Sequence, residues 1–299
     1  MNEFPGRDGR EADGALMKRR LADGESLLGV WIETGSAVNT EILAGLGFDF
    51  LLIDLEHGQG DIGDAIGMLR AGAAAPCIVR VPSADPIFLK RILDAGASAL
   101  MVPSIESANE AEAVVRACRY PPRGRRGYAA PAVRASGYGK DPGYMRRAHD
   151  DLMLILQIES AAAVACAAEI CAVDGVDMPF LGVNDMAGTI GRLEDLAHPD
   201  VTALVLKAEA AMRACGKPMG TVPRTGAGWR ALLESGYQLI PFGSDVGFMR
   251  DGALSLLEEL RRHSAPGSSR AATKDAEPDP SAKSPRLRSA RSPAPRRRR

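Results

Sequence analysis

One phrase recurs along this sequence: a helical stretch, a glycine, then a short apolar run. It appears as ILAGLGFDFLLID (42–54), ILDAGASALMVPS (92–104), AVDGVDMPFLGVN (172–184) and LLESGYQLIPFGS (232–244). Gly47, Gly96, Gly175 and Gly236 stand where a helix C-terminus calls for a left-handed residue. Each following run is short and bounded by Gly, Pro, Asp or Ser, the pattern of a buried strand. Further apolar runs near 27–32, 77–82, 153–158 and 217–222 bring the strands to eight. Helical stretches alternate with them near 37–46, 61–73, 85–95, 107–118, 161–172, 200–215, 225–235 and 246–262. Strands that alternate with helices form a parallel sheet, because parallel neighbours need crossovers. Eight units in roughly 235 residues predict an α/β fold in a single domain, the closed (β/α)8 TIM barrel. An open nucleotide-binding sheet is the rival, but no GxGxxG follows the first strand and no GxxxxGK[ST] occurs.

Composition sets the limits of that domain. With 45% hydrophobic and 25% charged residues, the chain has material for a soluble core. The expected organisation is a flexible N-terminus (1–13), a barrel (14–263) and a tail (264–299). The tail holds ten Lys or Arg against three Asp or Glu, a net of +7, which leaves −8 on the remainder of a chain whose total is −1. One Leu and no aromatic residue cannot offset its ordering entropy, so disorder is expected. Its terminal arginines could meet nucleic acid or another acidic surface, but a solvated extension without a specific partner is the favoured reading. No apolar run nears the ~20 residues of a membrane span, and the first twenty residues lack the apolar core of a signal peptide. Five scattered cysteines without CxxC spacing suit a reducing, cytoplasmic setting. The connection 119–150, rich in Arg, Tyr and Gly, is unusually long, so it either shapes an anion-lined pocket or makes structural or oligomer contacts.

In this fold chemistry collects at the C-terminal strand ends. There the sequence offers Asp54, Glu56 and His57 after strand two, Arg80 in strand three, Glu159 after strand five and Asp185 after strand six. Carboxylates crowded around one mouth repel unless a cation intervenes. Acids from two neighbouring strands, without a thiolate, suit a hard divalent ion such as Mg²⁺, Mn²⁺ or Co²⁺, and Glu159 and Asp185 are the expected ligands. Asp185 alone could instead be a helix cap. Imidazole exchanges protons near neutrality, so His57 is the expected base, with Asp54 orienting its ring. His149, His198 and His263 fall in loop or helix-terminal contexts and are read as structural. Arg80 can hold a carbonyl oxygen as negative charge develops. Glu56, placed opposite in sense to its neighbours by strand alternation, is read as a supporting carboxylate near the metal's waters. Metal, guanidinium and base together suggest enolate chemistry on a 2-oxo acid. A Schiff-base aldolase is disfavoured, since Lys90 and Lys207 fall in helices, Lys140 in the long loop and Lys217 at the wrong end of a strand. A serine hydrolase is disfavoured too, because no GxSxG occurs.

At these residues the chain resembles the metal-dependent class II pyruvate aldolases of the HpcH/HpaI type, which cleave 4-hydroxy-2-oxoheptanedioate, 2-dehydro-3-deoxyglucarate or related acids. The resemblance runs from about Gly29 to Gly252. It is carried by GVW (29–31), LLIDLEH (51–57), VRVP (79–82), LKRILDAGA (89–97), RYPPRGRRG (119–127), LQIES (156–160), HPDV (198–201) and LIPFGSD (239–245). It implies that Glu159 and Asp185 bind the ion, that pyruvate chelates it, and that Arg80 stabilises the enolate. It also implies that Trp31, Gly182, Val183 and Asn184 contact substrate, and that Asp94 joins the network from a neighbouring subunit or helix. A homo-oligomer is implied, a hexamer or trimer of dimers with an exchanged last helix. Two segments depart from the family pattern. GVNDM (182–186) replaces the usual Gly-Pro-small-Asp-Leu, and WIETGS (31–36) places Glu33 and Thr34 where small residues are usual.

The resulting expectation is a carbon–carbon lyase that takes a 4-hydroxy-2-oxo acid reversibly to pyruvate and an aldehyde. Decarboxylation of an oxaloacetate-type acid through the same enolate is the alternative. A non-catalytic barrel that binds an anionic partner through its tail is the reading from a different class.

Overall fold

Strand alternation governs the observed architecture. The computed structural model describes residues 11–223 and 228–264. Strands β1 (Leu27–Ile32), β2 (Phe50–Asp54), β3 (Cys77–Arg80), β4 (Ala99–Val102), β5 (Met153–Ile158), β6 (Met178–Leu181), β7 (Met219–Thr221) and β8 (Tyr237–Ser244) close in sequence order into a parallel barrel. Helices α1 (Asp13–Ala22), α2 (Ala37–Ala44), α3 (Ile62–Ala71), α4 (Pro86–Asp94), α5 (Ala108–Cys118) and α6 (Tyr144–Arg147) belong to the first half. The second half carries α7 (Ala161–Ala165), α8 (Ala167–Ala172), α9 (Val183–Thr189), α10 (Pro199–Ala214), α11 (Trp229–Glu234) and α12 (Asp245–Ser264). The expected (β/α)8 TIM barrel is thus present, with the helix expected at 161–172 divided at Cys166. The barrel lies within one compact unit, whose described residues begin at 11 and end at 251. Of the second unit, Gly252–Ser264 are described, as an exposed continuation of α12.

Successive side chains of a strand face opposite sides of the sheet. Phe50, Leu52, Ile78, Met153, Ile155 and Phe180 accordingly pack together inside the barrel. Their neighbours Leu51, Ile53, Val79, Leu154, Leu156 and Leu181 face the helices. The interior is filled by size matching: a β-carbon on Gly29 would lie 2.6 Å from the Phe50 ring, so glycine in β1 makes room for the aromatic in β2.

Helix α1 was not expected from the sequence. Residues 1–10 of the predicted flexible N-terminus lie outside the described residues, but Ala12 is buried and Asp13 opens the helix. Met17 and Leu21, one turn apart on the same face, join the interior cluster and plug the N-terminal end of the barrel. The rim is stitched by polar contacts. Gly14 N donates to Ser98 Oγ at 3.2 Å, Cys77 N to Asp13 Oδ2 at 3.2 Å, and Lys18 Nζ to Leu152 O at 2.7 Å.

The long connection 119–150 joins the end of α5 to the start of β5, so it sits at the N-terminal face of the barrel, opposite this chain's own strand C-termini. It packs through Tyr120, Ala130 and Tyr144, and Arg134 Nη1 donates to Ala95 O at 2.9 Å. It therefore does not line its own mouth, which leaves the structural or contact reading. The tail beyond Ser264, with its terminal arginines, lies outside the described residues, as does the start of the helix expected near 225. Among the described residues no helix is long and apolar enough to cross a membrane.

The plug yields a stability prediction. On an open helix face Gly→Ala would gain up to about 1 kcal/mol in helix propensity. At Gly14 a β-carbon would instead overlap the backbone carbonyl oxygens of Ser98 and Asp151. Rigid backbone cannot yield cheaply, and overpacking costs about 1–3 kcal/mol. Gly14→Ala should therefore lower the denaturation midpoint; a midpoint at or above wild type would show that α1 does not seat against β4 and β5.

Candidate active site

The inward-facing stripe changes character toward its C-terminal end. Phe50 and Leu52 lead to Asp54, Ile78 to Arg80, Met153 and Ile155 to Gln157 and Glu159, and Phe180 to Gly182. Alternation alone thus gathers the polar residues of β2, β3, β5 and β6 at one mouth.

Register sets Asp54 beside Arg80. Arg80 Nε donates to Asp54 Oδ1 at 2.9 Å and Nη2 to Oδ2 at 2.7 Å, a two-pronged ion pair with both partners buried. Arg80 Nη1 lies 3.0 Å from Glu56 Oε2, but among the described residues no hydrogen bond reaches that oxygen, so Glu56 contributes charge to Arg80. The Trp31 ring covers the guanidinium at 4.4 Å. Two acids and an indole hold Arg80 in place.

These contacts correct two expectations. The Asp54 carboxylate does not hold the His57 ring. Its contacts are to Arg80 and to the backbone N–H groups of Glu56 and His57, at 3.0 and 3.3 Å. A buried carboxylate beside a fixed guanidinium is satisfied there, and the His57 side chain stands exposed at the mouth. Glu56 does not point opposite to Asp54. Two residues apart, they share strand parity, and both reach Arg80. Asp94 is not brought to this mouth either. It ends α4, near the N-terminal face, where Arg126 Nη2 donates to its Oδ1 at 2.6 Å.

Glu159 is buried across the mouth. Its Oε1 accepts from Ser104 N at 2.6 Å, and its Oε2 accepts from Gln157 Nε2. Ser104 holds that amide in place through a left-handed backbone, φ 57°. Gly182 is required beside it, since a β-carbon there would lie 2.7 Å from Glu159 Cβ. Burial pushes the Glu159 pKa up; the Ser104 amide opposes this, and the charge of Asp185 adds to it. Glu56 is raised as well, by burial first, with Arg80 opposing and Glu159 reinforcing. Asp185 lies exposed in the first turn of α9, with Gly182 as the cap residue, so it does not cap this helix. Val183 is buried in the wall and Asn184 is exposed.

One guanidinium thus lies among Asp54, Glu56 and Glu159, and Asp185 is close enough to Glu159 for its charge to act on it. Burial is the first cause of both raised pKa values, and a neighbouring carboxylate adds to each, Asp185 for Glu159 and Glu159 for Glu56; a cation would offset both effects, so the residues fit a divalent ion. Among the described residues no cluster of three or more His, Cys, Asp or Glu could hold a metal. Glu159 and Asp185 could supply only part of a coordination shell. The sequence reading missed Ser104 and Gln157. Nothing in sequence announces a left-handed serine, but Gln157 shares the parity of Ile155 and Glu159 and was findable. Among the described residues its buried Oε1 has no hydrogen-bond partner, which leaves an acceptor beside Glu159.

Comparison with known proteins places this geometry. The profile of the HpcH/HpaI aldolase/citrate lyase family matches residues 27–251. The chain is 42% identical to the 2-dehydro-3,6-dideoxy-6-sulfogluconate aldolase of Pseudomonas putida, over 84% of this chain and 97% of that one. It is 42% identical to a 4-hydroxy-2-oxovalerate aldolase of Rhodococcus jostii, over 77% and 89%. A crystal structure of an HpcH/HpaI aldolase/citrate lyase family protein from Burkholderia cenocepacia superposes with a TM-score of 0.78 at 39% identity, covering 83% of this chain and 99% of that one. The chain belongs to the HpcH/HpaI aldolase/citrate lyase family and is a carbon–carbon lyase of the aldolase class.

Proposed function

We propose that the protein cleaves a 4-hydroxy-2-oxo acid reversibly to pyruvate or a close 2-oxo acid and an aldehyde, with Mg²⁺, Mn²⁺ or Co²⁺ held by Glu159 and Asp185. The observation that carries this reading is the pairing of those two acids opposite an Arg80 fixed by Asp54, Glu56 and Trp31. Relatives named hydroxypyruvate/pyruvate aldolases, such as that of Paraburkholderia phytofirmans at 40% identity, favour a small 2-oxo acid donor. The chemistry a bound divalent ion supplies is polarisation of the donor carbonyl.

The protein's own groups do the rest. His57, exposed and within the same loop as Glu56, takes the proton of the C4 hydroxyl. The C3–C4 electrons then pass to the donor as an enolate while C4 leaves as the aldehyde carbonyl. Arg80 already gives two of its N–H groups to Asp54 and keeps a third nitrogen beside the charge of Glu56. It needs no reorganisation to meet negative charge growing on the enolate oxygen. Protonation at C3 completes the donor product. The start of α9, with Val183 and Asn184, offers backbone N–H groups to the donor carboxylate, while Gly182, whose own N–H is donated to Ile158 O at 3.1 Å, leaves the space for it by lacking a side chain. Gln157 presents its free amide oxygen from below.

Val38 and Ile42 of α2 and Leu46 just beyond it are exposed apolar side chains spaced four residues apart, and α12 exposes Phe248, Met249 and Leu257. These support a homo-oligomer, a hexamer or trimer of dimers, in which Asp94 serves a neighbouring subunit. Free, scattered cysteines support the cytosol.

Three outcomes are expected. Glu159→Gln and chelation should each abolish aldol cleavage, by at least about a thousandfold, and Mn²⁺ should restore only the wild type. The raised Glu159 pKa means that folding favours its protonated form. Its stabilising effect is then complete below the ordinary glutamate pKa and lost as pH rises through the raised value. The metal-free Glu159→Gln variant should therefore melt higher than metal-free wild type at pH 7, with the difference shrinking in acid. Retained turnover, or a lower melting point at pH 7, would count against this site. Native mass measurement should find a species of six chains, and a monomer would refute the oligomer.

A further inference from the structure

Asp245, the first residue of α12, is 5% exposed and buried among donors from another part of the chain. Its Oδ1 accepts from Glu33 N at 2.9 Å. Its Oδ2 accepts from the Thr34 hydroxyl, from Thr34 N at 3.4 Å and from Asn39 Nδ2 at 3.1 Å. Asn39 Nδ2 also reaches Thr34 Oγ1 at 2.9 Å. Burial alone would raise the pKa of Asp245, but the donors from Thr34, Glu33 and Asn39 outweigh it and hold the carboxylate below its ordinary value. It is an anion at neutral pH.

The segment so held leads to the site in two directions. Glu33 follows β1 directly, two residues past Trp31, whose ring covers Arg80. Glu33 O in turn accepts from Gln59 N at 2.9 Å, two residues past His57. Beside that bond, Gly35 and Gly60 approach so closely that a β-carbon on Gly35 would lie 3.1 Å from Gly60 Cα. The loop carrying Glu56 and His57 is therefore tied to the β1–α2 loop, and that loop is tied to Asp245.

We propose that Asp245 and Thr34 form a latch, positioning residues that hold the β1–α2 loop and, through its Gln59 contact, the His57 loop in the reactive arrangement. The departure WIETGS acquires a purpose in this reading. The Thr34 hydroxyl serves as donor to Asp245 and acceptor from Asn39, a bridge that an apolar residue of the same shape could not make. Neither residue needs to touch substrate. Losing a hydrogen bond to a buried charge while leaving that charge in place loosens the loop more than it unfolds the barrel.

The test uses the full-length chain as wild type, Thr34→Val and Thr34→Ser. Valine keeps the shape and removes the hydroxyl; serine keeps the hydroxyl. Amide hydrogen exchange in the segment 55–60 and steady-state aldol kinetics are read together. Thr34→Val should speed exchange in 55–60 about tenfold and lower kcat about tenfold, with KM for the 2-oxo acid within about twofold. Thr34→Ser should match wild type in both. Unchanged exchange in 55–60 for Thr34→Val, or faster exchange with unchanged kcat, would overturn the positioning role. The kinetic half rests on the aldolase reading. If wild type itself cleaves no 2-oxo acid, that reading fails, and exchange alone still decides whether the latch exists.

Discussion

The pair Asp54–Arg80 is the interaction on which the mouth of this barrel depends. Both groups are buried, where an isolated charge would cost several kcal/mol to desolvate. Neither can be removed alone without leaving the other uncompensated. The sheet meets this by register: Asp54 and Arg80 are direct neighbours on β2 and β3, and the first residues beyond β2 add two backbone donors to the same carboxylate. With Trp31 over its face and Glu56 beside it, the guanidinium has almost no freedom left. That rigidity is what catalysis of enolate formation needs from a cation, since charge can develop without any dipole having to turn.

The same parity that packs Phe50 and Leu52 inside the barrel delivers Asp54 to its mouth, and the same holds for Ile155, Gln157 and Glu159. Stability and chemistry are thus written on one stripe, apolar toward α1 and polar at the top. The cost shows in Glu159, whose carboxylate is held buried beside Asp185 and carries a raised pKa. An apolar or neutral residue there would be easier on the fold, but it could not help hold a cation.

Much of this was legible in the sequence, and for identifiable reasons. The four helix–glycine–strand phrases carry the left-handed glycines Gly47, Gly96, Gly175 and Gly236, all observed at positive φ, and local chemistry of that kind survives any tertiary context. That Arg80 and Glu159 lie at the mouth was legible because fold class dictates where strands end. The partner of Asp54 was not found, because proximity in sequence to His57 competes with proximity across the sheet to Arg80, and only register decides. Glu56 was assigned the wrong sense by a miscount of parity. Helix α1 escaped because its plug is just Met17 and Leu21 among charged neighbours. The long connection 119–150 was open to two readings, since an Arg- and Tyr-rich loop looks the same at either end of a barrel. Thr34 read as an oddity until Asp245, more than two hundred residues later, supplied its partner.

The central claim is that this mouth makes and protonates the enolate of a 2-oxo acid. It is tested most directly without any aldehyde, by following the methyl protons of pyruvate by NMR in D2O with the Mg²⁺-loaded protein. Progressive deuteration of the methyl group, absent without metal, is the predicted result. A methyl signal that persists unchanged beside active, metal-loaded protein would contradict the account.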